Sequence, residues 1–170
     1  MNKNDILRRI RYTFDLSDAK MISIFDQAGH QVTRAQVSDW LKSDDDPACQ
    51  KCSDKQLALF LNGLINDKRG KRDGPQLEPE TNLSNNAVFV KLKIALNLKA
   101  DDVIKILSLA GVKISKHELS AFFRRPVHKH FRECKNQMLR NFLKGLQLKY
   151  RPAPEGMSED PWNLKSSKRF

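Results

Sequence analysis

The sequence is poor in the features that usually announce a function. It has three cysteines in 170 residues, and an odd count does not suit a secreted disulfide framework. A reducing, cytoplasmic setting is the expectation. No run of about 18 apolar residues occurs, which excludes a membrane-spanning helix. Met1-Asn2-Lys3-Asn4-Asp5 leads straight into an amphipathic pattern without an apolar h-region, so no signal peptide is expected. No segment shows the alternation of a half-buried strand. There is no Gly-x-Ser-x-Gly, no phosphate-binding loop and no pair of carboxylates in apolar surroundings. Charged residues make up 30% and mean hydropathy is −0.60, as in a soluble chain. The expectation is an all-α protein with no enzymatic role, no cofactor, no metal and no membrane partner.

An internal repeat is present. Ala28-Gly29 recurs as Ala110-Gly111, and Phe60-Leu61-Asn62-Gly63-Leu64 recurs as Phe142-Leu143-Lys144-Gly145-Leu146, both 82 residues on. The same offset pairs Asn4 with Asn86, Ile24 with Ile106, Ser38 with Ser120 and Cys52 with Cys134. No gap is needed from Asn4–Asn66 to Asn86–Leu148, and many remaining pairs are conservative, such as Trp40/Phe122 and Lys42/Arg124. The fold class expected is therefore two tandem copies of a four-helix unit with a helix-turn-helix-like segment. At about 65 residues each copy is near the lower size limit for standing alone, and whether the two pack as one pseudo-symmetric body is left open by the sequence.

The first copy spans 1–66 and carries helical apolar stripes at Ile6, Leu7, Ile10 and Phe14 and at Met21, Ile22, Phe25 and Ala28. Ser17 is the expected N-cap of the second helix and Gly29 its stop. Thr33-x-x-Gln36 and Ser115-x-x-Glu118 read as capping boxes opening the third helix of each copy. Ser53 is expected to cap the fourth. A glycine inside that helix costs about 1 kcal/mol relative to alanine, yet it occurs in both copies, which predicts close packing by another helix. Residues 67–85, with Gly, Pro and no apolar period, read as a flexible linker. The second copy is 86–150, and 151–170 reads as a largely disordered tail with Trp162 and Phe170 as its large anchors.

The net charge of +11 suggests a polyanionic partner. The first copy holds nine basic and nine acidic residues, and the linker four of each. The second copy holds fourteen basic against four acidic, so it carries nearly the whole excess. Divided roles account for this asymmetry; drift on solvated surfaces is the competing reading.

Met21–Lys42 and Val103–Arg124 resemble the helix-turn-helix, whose second helix presents its N-terminal residues to the major groove. In the second copy those outward positions are Lys116, His117, Ser120 and Arg124, with Arg125 beyond, suitable donors to phosphate and base edges. Lys129 and Arg132 extend this surface. In the first copy Asp44-Asp45-Asp46 would repel phosphate. The cap lies four residues past the glycine in both copies, longer than the usual two, so two packed helices with no groove to fill is the competing structural reading. Lys68-Arg69-Gly70-Lys71-Arg72 could track phosphates or merely keep the linker soluble. Phe131, in the densest basic run, is expected in the core, with stacking on a base as the alternative.

Cys49-x-x-Cys52 has the spacing of a redox or zinc half-site, but the repeat pairs Cys49 with Phe131. The shared cysteine therefore reads as a small buried residue before the fourth helix. His117, His128, His130 and Cys134 match no strong zinc spacing.

Asn4-Asp5-Ile6-Leu7-Arg8-Arg9-Ile10-Arg11-Tyr12, Asp15-Leu16-Ser17-Asp18, Phe60-Leu61-Asn62-Gly63-Leu64 and Lys116-His117-Glu118-Leu119-Ser120-Ala121-Phe122-Phe123-Arg124 together resemble the YehS-like family of uncharacterised bacterial proteins. That family consists of short chains with a duplicated domain of unknown function. The resemblance covers roughly residues 1–150. It implies the duplication and a bacterial cytoplasmic setting, and it supplies no activity or site residues.

The leading functional expectation is a non-enzymatic, nucleic-acid-binding protein, DNA or RNA unresolved, that uses Lys116, His117, Ser120, Arg124, Arg125, Lys129 and Arg132. The rival is a protein-binding adaptor using apolar surface around Trp40 or Trp162. An enzyme would need a deep pocket gathering titratable residues from both copies. Oligomeric state is left open.

Overall fold

The computed structural model describes residues 1–152. Eight helices follow in order: α1 (Lys3–Thr13), α2 (Asp18–Gln27), α3 (Arg34–Leu41), α4 (Asp54–Arg69), α5 (Asn85–Ala95), α6 (Ala100–Leu109), α7 (Lys116–Phe122) and α8 (Asn136–Tyr150). No strand occurs among the described residues. The tail expected to be disordered, with Trp162, lies outside the described residues from 153 onward.

The helix starts are set by side-chain caps. Ser17 accepts from the Lys20 N–H, and Thr33, Ser53 and Ser115 form capping boxes with Gln36, Gln56 and Glu118. Each cap satisfies N–H groups that have no intrahelical partner and is worth about 1 kcal/mol. Gly29 and Gly111 adopt positive φ, +74° and +82°, after α2 and α6, where the chain must turn away.

Within each copy α2 packs on α4, and α6 on α8 in the same way. The glycines of the fourth helices permit this. A Cβ on Gly63 would overlap the carbonyl oxygen of Ile24, and one on Gly145 would overlap that of Ile106. The close helix approach expected at these glycines is therefore present twice, against equivalent isoleucines. Phe25, Phe60, Phe89, Phe122 and Phe142 fill the interior. Trp40 joins them, 3% exposed and 5.5 Å from the Phe25 ring. Trp40 itself offers no apolar surface, because its ring is a core residue.

Two buried asparagines hold the ends of each unit together. Asn4 donates to the carbonyls of Trp40 (3.0 Å) and Gln50 (2.7 Å), and its Oδ1 accepts from the Cys52 N–H (2.9 Å). Asn86 does the same with Phe122 (2.9 Å), Arg132 (2.9 Å) and Cys134 (2.8 Å). Every partner is displaced by the repeat offset. One side chain thus ties the first helix to the end of the third and to the approach to the fourth.

The copies pack together through α4 on α5 and α1 on α8. Exchanging the copies maps the first contact onto the second, as a two-fold-like pairing requires. At α4–α5 the buried Lys91 ammonium donates to Asn62 Oδ1 (2.5 Å) and pairs with Glu80 (3.1 Å). At α1–α8 Phe14 lies 5.2 Å from Tyr150, and Arg151 donates to the Tyr12 carbonyl at 2.8 Å. The connection between copies is anchored at its end: Leu83 is buried, its N–H donates to Asp54 and its carbonyl accepts from Lys3.

Candidate nucleic-acid interface

The segment joining the third and fourth helices is built twice on one backbone plan. In the first copy the N–H of Gln50 donates to Asp39, Asp46 to Ser43 and Cys49 to Asp46. In the second, Arg132 donates to Ala121, His128 to Arg125 and Phe131 to His128, at 2.9–3.0 Å. These are the same three bonds moved by 82 residues. Together with the asparagine clamp they give two matched loops.

The side chains on them are opposed in charge. The first loop carries Asp44, Asp45 and Asp46 against Lys42, which pairs with Asp39, and Lys51. Asp44 is partly neutralised by Arg8 at 3.2 Å and bonded by Asn2. The second loop carries Arg124, Arg125, His128, Lys129, His130 and Arg132. Arg125, Lys129 and Arg132 are exposed, and no carboxylate lies within 4 Å of them among the described residues. The Arg132 guanidinium lies over the Phe122 ring at 5.2 Å while the residue stays exposed.

The remaining expected residues are placed unequally. Lys116 and His117 are exposed on α7. Lys116 pairs with Asp101 at 3.3 Å, both largely exposed, a pair that contributes little and yields readily to phosphate. Ser120 is half-buried and donates its hydroxyl to the His117 carbonyl at 2.7 Å. Beside them Glu118 is a counter-charge. Hydrogen bonds from Ser115 hold its carboxyl below the usual range, with Arg132 and His117 adding to the effect. Arg124 departs from the outward position expected of it. It is half-buried, its Nη1 lies 3.3 Å from His128 Nε2, and its Nε is buried without a hydrogen-bond partner.

Arg124 faces a cleft of about 320 Å³ between α5, the connection and the second loop. Its walls are largely apolar and include Val90, Ile94, Phe123 and Phe131, with Glu80 and Lys91 at the polar end. Phe131 is half-buried on this wall, which corrects its expected place in the core: the loop turn at His128 carries it over the cleft instead. A second recess of about 330 Å³ lies against α4 and shares Ile65, Leu77 and Ile94 with the first.

Sequence reasoning missed Glu80, Lys91, Asn62 and Phe123. One signal was present: Lys91 and Asn62 interrupt apolar runs, Val88-Phe89-Val90-Lys91-Leu92 and Phe60-Leu61-Asn62-Gly63-Leu64. A polar residue on a core-facing stripe requires a buried partner.

The two cysteines shared by the repeat do not contribute a reactive site. Cys52 and Cys134 are buried, and burial pushes both thiols up to about 12. No group of three metal-ligating side chains gathers among the described residues, and no helix there is long and apolar enough to cross a membrane.

The fold is accompanied by a clear kinship. The family described as "Protein of unknown function (DUF1456)" matches residues 3–70 and again 85–152, so each copy of the repeat matches separately. The chain belongs to this family. It is 44% identical over 147 residues to the uncharacterized protein YehS of Escherichia coli (strain K12), across 86% of this chain and 94% of that one. The resemblance to a YehS-like family of duplicated units therefore holds. No solved structure matches the chain.

Proposed function

We propose that this member of the family binds nucleic acid through the second copy, on the face formed by α7 and the loop that follows it. One observation carries this reading: a single loop plan is built twice, and where the first copy sets Asp44, Asp45 and Asp46 on it beside Lys51, the second sets Arg125, Lys129 and Arg132, three exposed cations that have no carboxylate partner among the described residues. Unpaired arginines and lysines on a fixed loop suit a polyphosphate backbone, because each phosphate contact releases counterions. His117, Lys116 and Ser120 flank the loop and extend the contact. The helix-turn-helix-like order of α6 and α7 is compatible with groove binding, though its long turn favours the loop over α7 as the main contact.

The reading is recognition rather than catalysis. The cleft does gather charged groups from the connection and the second copy, and one of them, Lys91, donates to Asn62 of the first. Lys91, however, is already engaged by Glu80 and Asn62, and the hydroxyl of Ser84 at the cleft is the N-cap of α5. A bacterial cytoplasmic protein is the setting proposed.

The test is binding of the purified protein to labelled DNA and RNA at low salt, beside the Arg125→Glu/Lys129→Glu variant. Both positions are exposed, so the fold should persist. Binding by the wild type and a loss of about tenfold or more in the variant are expected. Absence of binding to both polymers would overturn the reading.

A further inference from the structure

Among the described residues, three buried side-chain polar atoms have no hydrogen-bond partner: Asn62 Nδ2, Glu80 Oε2 and Arg124 Nε. They are not scattered. Glu80 and Arg124 line the same 320 Å³ cleft, while Asn62, bonded to Lys91 of that cleft, lines the adjoining recess against α4. Buried polar groups are nearly always satisfied in proteins, so two exceptions beside one cleft direct attention to what that cleft receives.

The repeat shows how the cluster arose. In the first copy Lys42, the counterpart of Arg124, pairs with Asp39. The counterpart of Asp39 in the second copy is Ala121, so Arg124 lacks that acid. Arg124 borders the cleft with its Nε buried and unpartnered. Glu80 offers an acceptor. A free anion would meet the Glu80 carboxylate unfavourably, and a purely apolar ligand would leave both groups unsatisfied. A nucleobase edge carries a donor and an acceptor together. Its flat faces suit Phe123 and Phe131, and aromatic side chains are the usual platform for unpaired bases. The loop that supplies Arg124 and Phe131 also carries Arg125, Lys129 and Arg132 just outside, where the attached phosphates would lie.

Resting on the nucleic-acid reading above, we infer that the cleft between α5, the connection and the α7–α8 loop receives one unpaired nucleobase, so that the partner is single-stranded. Arg124 donates to the base, Glu80 accepts from it, and Phe131 stacks on it.

The experiment compares a single-stranded oligonucleotide with its duplex, using the full chain, its Phe131→Ala and Phe131→Trp variants, and the Arg125→Glu/Lys129→Glu variant. Single-strand binding should exceed duplex binding. Phe131→Ala should weaken it by about 5- to 100-fold and Phe131→Trp should retain it, with duplex binding unchanged in both. Far-ultraviolet circular dichroism checks that each variant is folded. Equal binding to duplex and single strand, or no effect of Phe131→Ala while the charge variant abolishes binding, overturns the cleft inference and leaves the surface reading standing. If neither polymer binds, titration with the four nucleoside monophosphates separates the two. A monophosphate that perturbs wild type and not Phe131→Ala sustains the cleft and sinks the surface, and no perturbation overturns both.

Discussion

Asn4 and Asn86 show how much one side chain can organise. Each closes three hydrogen bonds to backbone groups 36 to 48 residues away, inside the protein. Alanine at either position leaves a buried N–H and two carbonyls unsatisfied, a desolvation cost of about 1–3 kcal/mol for each unmade bond. Asn86→Ala should lower unfolding stability by about 3 kcal/mol in a urea titration, and Asn4→Ala by a similar amount. A loss under about 0.5 kcal/mol would show the clamp to be idle. The identity of these asparagines at a fixed offset was visible in the sequence. Their partners were not, because backbone carbonyls leave no trace in residue type. The cysteines give a second prediction at this scale. Cys52 and Cys134 are 1% exposed with thiols raised to about 12, while Cys49 is half-buried at the surface. A disulfide thiol reagent at pH 8 should label one thiol quickly in the folded protein and three after unfolding. Rapid labelling of two or more in the folded state would contradict the burial.

At the scale of elements, the helices were legible because caps and stripes are local. Ser17, Thr33, Ser53 and Ser115 mark their helix starts in sequence and in structure alike. The glycines of α4 and α8 were legible by a different route, as a propensity cost accepted twice. Gly145→Ala should destabilise the protein despite alanine's advantage of about 1 kcal/mol in a helix, because its Cβ would meet the Ile106 carbonyl oxygen. Gly63→Ala should do the same against Ile24. A rise in the thermal midpoint of either variant would contradict the close approach. The cleft was not legible. It is assembled from the connection, α5 and a loop, and Phe131 read as core because its apolar character said nothing of the turn at His128. Trp40 lies in the core because the helix face it shares with Val37 turns inward.

For the whole molecule, duplication accounts for both the architecture and the asymmetry. Two units of marginal size bury their outer helices on one another through α4–α5 and α1–α8. Their shared loop plan then diverged, to acid in one copy and base in the other. The charge partition could be counted directly from the sequence, but the neutralisation of Asp44 by Arg8 and the solitude of Arg125, Lys129 and Arg132 required the fold. Salt dependence tests the central claim most directly. The logarithm of the nucleic-acid binding constant should fall linearly with the logarithm of salt concentration. With three or four phosphates contacted, the slope should be about −2 to −3 for a single strand, and the Arg125→Glu/Lys129→Glu variant should lower its magnitude by about 1.5 or more. A slope near zero, or one that the variant leaves unchanged, would contradict a phosphate-binding role for the second loop.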